Sequence, residues 1–237
     1  MRRRTNSPQL VWLFDLDNTL HNASHAIFPA INRNMNAYIA KVLGDGVHPA
    51  DEATVNAVRQ DYYQRYGITM LGMVRHHGVK AADFLQEAHT FDHLPQMIRA
   101  QRGLLRILKQ LPGKKVLLTN APRDYSQRVM RHLNLHRYFD DHISVEEMRV
   151  HGQLQPKPSL SYLRKLCATH GWSPSRCILV EDSLDNLRAA KKVGLRTVLV
   201  NAYTPAHLRQ RPAACVDIRA QSVATLPRRR RQFLPSV

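Results

Sequence analysis

Short apolar runs that end in polar clusters constrain this chain more than any other feature. Leu10 to Phe14, Val116 to Leu118, Cys177 to Val180 and Thr197 to Val200 are each bounded by charge, glycine or a turn. Runs of this length read as strands. Helical periodicity fills the gaps between them, from Tyr125 to Leu135, Ser159 to His170 and Leu184 to Val193, where Gly194 stops the last one. Strands alternating with helices of this length build βαβ units, so the expected class is α/β with a mostly parallel sheet. Such sheets bind ligands beyond the carboxyl ends of their strands, and there this sequence sets its polar residues.

The alternation lapses after the first run. From Leu20 to about Leu94 the spacing turns helical (Ile31, Met35, Tyr38, Ile39, Val42, then Val55, Val58, Tyr62), with Gly44, Gly46, Gly67 and Gly78 as stops and no convincing strand. The expected organisation is a core over residues 1–20 and 95–205, a helical insert over 21–94, and a basic C-terminal tail over 206–237. The insert is read either as a lid over the site or as a helical layer on the sheet.

Composition narrows the class. At 43% hydrophobic residues, a sizeable core forms and wholesale disorder is excluded. Cys167, Cys177 and Cys215 are odd in number and form no CxxC pair, which suits a reducing cytosol. The apolar run after Met1-Arg2-Arg3-Arg4 is cut by Asp15 and Asp17, too early for a secretory segment, and no stretch is long enough to span a bilayer. A cytoplasmic protein without membrane contact is expected. Of the net charge of +17, the two ends supply +9, since ten arginines there (2–4, 209, 211, 219 and 228–231) face one acid, Asp217 (10 − 1), and the body supplies the remaining +8. Such a block reads as an exposed, solvated tail that can still hold nucleic acid or another polyanion by counterion release.

Four clusters carry candidate chemistry. In Asp15-Leu16-Asp17-Asn18-Thr19, two carboxylates two residues apart at a strand end can divide attack and proton handling, or close the strand as an Asx-type turn. Thr119 and Asn120 follow a strand and either donate to phosphate oxygens or cap the next helix. Lys157 stands between Pro156 and Pro158, either presented rigidly to an anion or solvated in a loop. Glu181-Asp182-Ser183 with Asp185 and Asn186 offers hard oxygens that suit Mg²⁺, or acids favourable at a helix N-terminus.

Taken in order, DxDxT, TN, PKP and EDSxxN resemble the haloacid dehalogenase superfamily over about Leu10 to Val200. The resemblance implies a Rossmann-like parallel core with an inserted helical cap, and phosphate monoester hydrolysis through an aspartyl-phosphate. It implies Asp15 as nucleophile and Asp17 as acid/base. Thr119 and Asn120 would bind phosphate, with Lys157 bridging nucleophile and phosphate. Mg²⁺ would be held by Asp15, Asp182 and the backbone carbonyl of Asp17. Asp17 separates phosphatases from the carbon–halogen hydrolases of the family, which typically lack that second aspartate. The acid most often found four residues after the metal aspartate is Asn186 here, so Glu181 or Asp185 would supply its charge.

A narrower resemblance rests on Met35-Asn36-Ala37-Tyr38-Ile39, Tyr62-Tyr63-Gln64-Arg65-Tyr66-Gly67-Ile68-Thr69 and Val180-Glu181-Asp182-Ser183. These are similar to the pyrimidine 5′-nucleotidase branch, which implies UMP or CMP as substrate. Ile68 stands where threonine is more frequent and Ala121 where glycine is common. Phosphoglycolate and sugar phosphates stay open as substrates. A rival reading makes the protein a binder of nucleic acid or an acidic partner on the same fold.

Overall fold

The computed structural model describes residues 9–204 and 214–232. Arg2–Arg4, Arg209 and Arg211, which the sequence reading assigns to basic ends, lie outside these residues. The described residues form two compact units, one up to residue 22 and from 99 onward, the other Ala23–Ile98.

The first unit is built on six strands: β1 (Val11–Phe14), β2 (Lys114–Leu118), β3 (Asp141–Ile143), β6 (Cys177–Glu181), β7 (Arg196–Val200) and β8 (Ile218–Ala220). All pair in parallel, in the order β3-β2-β1-β6-β7-β8. A separate antiparallel pair, β4 (Arg149–Val150) with β5 (Gln153–Leu154), precedes the third polar cluster. The chain thus steps out to one side of β1 and later returns to the other. A parallel sheet with that reversal opens a crevice at the carboxyl ends beside β1.

Every residue of β1 is buried, as expected of a central parallel strand covered on both faces. The two-residue period sends Val11 and Leu13 into a cluster with Val116, Leu118 and Leu179 under α8 (Leu160–Thr169) and α9 (Leu184–Val193). Trp12 and Phe14 take the other face, their rings 6.1 Å apart, and Phe14 meets Phe139 edge-on. The remaining crossovers carry α6 (Leu104–Gln110) and α7 (Arg123–His132). Just before β2, Gly113 adopts φ +88°, and a Cβ there would lie 2.2 Å from the Leu10 carbonyl oxygen. That close approach lets the Lys114 N–H donate to Leu10 O at 2.9 Å and sets the register of β1 against β2.

Residues 214–232 correct the expectation of a solvated tail beginning at 206. Ile218–Ala220 adds the sixth strand beside β7, and Val223–Gln232 follows as a 3₁₀ helix with Pro227 inside it. Val223 and Leu226 are buried, and the helix packs against α6. Three polar contacts lock the entry. The Thr197 N–H donates to Asp217 Oδ2 at 3.0 Å, the Asp217 N–H donates to Thr197 Oγ1 at 3.0 Å, and Lys191 pairs with Asp217. The segment has few apolar residues, but they fall where an edge strand and one helical face need them.

In the second unit five helices follow one another: α1 (Ile27–Leu43), α2 (Glu52–Tyr66), α3 (Thr69–His77), α4 (Ala81–Ala88) and the one-turn α5 (Leu94–Met97). Asp51 caps α2, accepting from the Thr54 N–H at 2.9 Å. Arg59 ties α2 to α1 through Asn36 and Asn32, and Tyr38 meets Phe84 edge-on between α1 and α4. No strand occurs among the described residues of this unit.

Candidate active site

The pleat that buries Val11 and Leu13 carries Asp15 to the carboxyl end of β1, where its N–H donates to Val180 O at 3.0 Å. Asn18 then turns the chain at φ +59°, a left-handed conformation that asparagine tolerates better than most residues. Thr119 follows β2, and Asp182 follows β6. Three neighbouring parallel strands therefore deliver three of the four polar clusters to one edge of the sheet.

The fourth cluster reaches the same place from a connecting segment. Lys157 is 2% exposed, so it is no solvated loop lysine. Its Nζ donates to Asp15 Oδ1 at 2.7 Å and to Glu181 Oε2 at 2.8 Å. Its backbone is clamped by Asn120, whose Nδ2 donates to Lys157 O at 2.8 Å while Oδ1 accepts from the Lys157 N–H at 2.9 Å. The Asn120 side chain thus fixes the lysine backbone, a task distinct from the phosphate contact expected of it. The Thr119 hydroxyl, also buried, accepts from the Ala121 N–H at 3.1 Å, an arrangement that aims its own O–H elsewhere.

Carboxylate oxygens of Asp15, Glu181 and Asp182 lie within 4.8 Å of one another. Burial, then the neighbouring carboxylates, raise Asp15 to about 7 and Asp182 to about 9. Burial alone would pull Lys157 down, but Asp15 and Glu181 outweigh it and push the ammonium up. One ammonium does not neutralise three clustered carboxylates, two of them buried and Asp182 partly so, and the deficit is what a bound cation would supply. The donors are hard oxygens, which fit Mg²⁺. Glu181 is already saturated by Lys157, the Asn186 amide at 3.0 Å and the Asp182 and Ser183 N–H groups at 3.2 Å. Asp15 and Asp182 are therefore the carboxylates that could hold a metal. Asn186 donates where an acid would have repelled Glu181, while Asp185 pairs with Arg188 and is 61% exposed.

The Asp17 carboxylate is not part of that acidic group. Its Oδ1 accepts from the Tyr125 hydroxyl at 2.6 Å and lies 2.8 Å from His21 Nε2. Burial and the Asp17 charge hold the Tyr125 phenol well above its ordinary range, so it stays protonated and donating. Sequence reasoning missed both partners. Tyr125 reads as one more apolar residue of a periodic helix, and nothing in the spacing links it to Asp17.

A family model for haloacid dehalogenase-like hydrolases matches residues 11–194. Among curated proteins, the chain is 23% identical over 202 residues to Phosphate metabolism protein 8 of Saccharomyces cerevisiae, covering 80% of this chain and 60% of that protein. It is 25% identical over 190 residues to the Validoxylamine A 7′-phosphate phosphatase of Streptomyces hygroscopicus subsp. limoneus, covering 78% of this chain and 82% of the other. Among solved structures, CbbY from Rhodobacter sphaeroides in complex with phosphate superposes with a TM-score of 0.61 at 20% identity, over 92% of this chain and 96% of that one. At that identity the likeness speaks for the fold.

Proposed function

Because the chain belongs to the haloacid dehalogenase-like hydrolase family, we propose that it hydrolyses small phosphate monoesters through an aspartyl-phosphate. The observation that carries this reading is the buried Lys157 ammonium joining Asp15 to Glu181 beside Asp182. A phosphate dianion repels an anionic nucleophile, so catalysis at such a centre depends on placed positive charge. Lys157 holds the attacking carboxylate and the phosphoryl oxygens together, and the Thr119 hydroxyl donates to the transferring group. Asp15 forms a bond to phosphorus as the ester P–O bond breaks, and Asp17 gives the departing oxygen its proton. Asp17 then takes a proton from the water that opens the aspartyl-phosphate. Mg²⁺, held by Asp15, Asp182 and the Asp17 backbone carbonyl, would supply charge neutralisation at the phosphoryl oxygens.

Two substrate classes follow from different observations. The sequence resemblance of residues 35–39 and 62–69 supports a pyrimidine nucleoside 5′-monophosphate, UMP or CMP. Two of the three tyrosines in that stretch have other work, however, while Tyr63 is 59% exposed. Tyr62 is buried, stacks on His76 and bonds His77, while Tyr66 bonds His76 under the Arg75 guanidinium. The Validoxylamine A 7′-phosphate phosphatase among the relatives supports a small phosphate ester other than a nucleotide instead, and of that class we favour sugar phosphates. A phosphate-release screen over sugar phosphates, phosphoglycolate, UMP and CMP, with and without Mg²⁺, decides between them. Release from none of these in the presence of Mg²⁺ would remove the phosphatase reading. A preference for nucleotides would reverse the substrate assignment alone.

A further inference from the structure

The Asp17 carboxylate is held from two directions by groups more deeply buried than itself. Tyr125 on α7 is 1% exposed and His21 is 0% exposed, whereas the Asp17 side chain keeps 15%. Both reach the same oxygen, Oδ1, and the Tyr125 hydroxyl also lies 3.4 Å from His21 Nε2. The other imidazole nitrogen, Nδ1, is buried without a hydrogen-bond partner among the described residues. A carboxylate oxygen only accepts, so Nε2 carries the hydrogen that meets Oδ1. An imidazole N–H and a phenol O–H therefore converge on one oxygen.

A carboxylate left to itself rotates about its Cβ–Cγ bond. Two donors on one oxygen fix that rotation, and with it the direction of the second oxygen, which is where a proton would have to reside. We propose that Tyr125 and His21 are positioning residues for Asp17, holding its Oδ1 so that the proton on the other oxygen is delivered at a fixed angle to the leaving group. The inference rests on the phosphatase reading above. In the step it serves, the Asp15–phosphorus bond forms, the ester P–O bond breaks, and the Asp17 proton passes to the departing oxygen, so charge and atoms balance. A misaimed acid harms poor leaving groups most, because good ones depart without a proton.

The test is kcat/KM across a series from alkyl to nitrophenyl phosphates, with Mg²⁺, since kcat/KM reports only the steps through transfer to Asp15. Tyr125→Phe should lose roughly 10- to 100-fold on alkyl esters, a share of the ~10²–10⁴ that general acid–base catalysis supplies. Its loss on nitrophenyl phosphate should be smaller, which steepens the leaving-group dependence. His21→Gln keeps a donor near the Nε2 position and should retain the wild-type slope, whereas His21→Leu should steepen it. Losses of equal size along the whole series, in variants with wild-type circular dichroism, would reduce both residues to structural supports and overturn the proposal. Imidazole ¹⁵N NMR of the wild-type chain gives a readout free of turnover and should show a hydrogen on Nε2 of His21. An Nδ1–H tautomer, which leaves no hydrogen on Nε2, would overturn the clamp by itself. A wild-type protein that hydrolyses no ester would sink the phosphatase reading, and the tautomer would still decide the geometry.

Discussion

At the scale of single residues, the site is an unbalanced charge problem. Asp15, Glu181 and Asp182 share the Lys157 ammonium, and the raised values of Asp15 and Asp182 show that it is not enough. Their linkage has a definite sign. Both carboxyls take up protons on folding, so their contribution favours the fold below the ordinary carboxylate range. It is lost as pH rises through about 7 for Asp15 and about 9 for Asp182. Replacing Lys157 by Met removes the compensating charge at constant bulk. At pH 8 we expect Lys157→Met to be less stable by about 3–5 kcal/mol, the usual cost of orphaning a buried ion, and the deficit should shrink at pH 5.5. Urea melts at the two pH values check this, and a pH-independent deficit would speak against the raised carboxyls. By the same sign, a cation competes with protons for this site. The gain in melting temperature on adding Mg²⁺ should be larger at pH 8 than at pH 5.5 and should vanish in Asp182→Asn. Asp15→Asn should abolish turnover, because an amide does not attack phosphorus, and it should leave circular dichroism unchanged. Phosphate release within a few-fold of wild type from that variant would end the covalent mechanism.

Among the elements, α2 and α3 show how little space the fold leaves. In the second unit Gly72 lies in the middle of α3, a position that ordinarily weakens a helix. Its reason is steric, since a Cβ there would stand 2.1 Å from Tyr62 Cγ on α2. The ring cannot swing clear, because Tyr62 stacks on His76 and bonds His77. Gly72→Ala should therefore destabilise the protein by roughly 1–3 kcal/mol through overpacking, despite alanine's better helix propensity. Thermal melts of wild type and variant measure it, and a gain in stability would mean that α2 and α3 can separate at this contact.

For the whole molecule, the C-terminal segment belongs to the sheet-bearing unit. Truncation after Val216 removes Asp217 with its contacts to Thr197 and Lys191, the edge strand β8, and the buried Val223 and Leu226. Burial of those two side chains alone is worth roughly 3–6 kcal/mol at about 1.5–3 kcal/mol each, a large part of the ~5–15 kcal/mol that holds a domain. The truncated chain should unfold at markedly lower denaturant than the full chain. An unchanged midpoint would show that the segment does not pack as described. Asp217→Asn is the milder probe. Burial works against the Asp217 charge, but Lys191 and Thr197 prevail and hold its carboxyl below the usual range. That contribution is present above the ordinary carboxylate value and fades as pH falls through the lowered one. The variant's deficit at pH 7 should accordingly disappear in strong acid.

What the sequence determined by itself is whatever local spacing encodes. Short continuous apolar runs and period-3.6 amphipathic stretches mark β1, β2, β6, β7, α8 and α9 to within two residues, and the turns after those strands place Asp15, Thr119 and Asp182 at strand ends. The helical character of residues 23–98 was legible for the same reason. Spacing was silent about β3 and β8, three residues each, because so short an edge strand owes its existence to the neighbour it pairs with. Nor could it assign partners. Lys157 meets Asp15 across 142 residues of chain, Asn120 meets the Lys157 backbone across 37, and Tyr125 meets Asp17 across 108. Those meetings were decided by strand order and crossover direction, which bring distant strand ends to one edge of the sheet. A side chain's chemistry is written in its own residue, but its partner is chosen by which strands lie side by side.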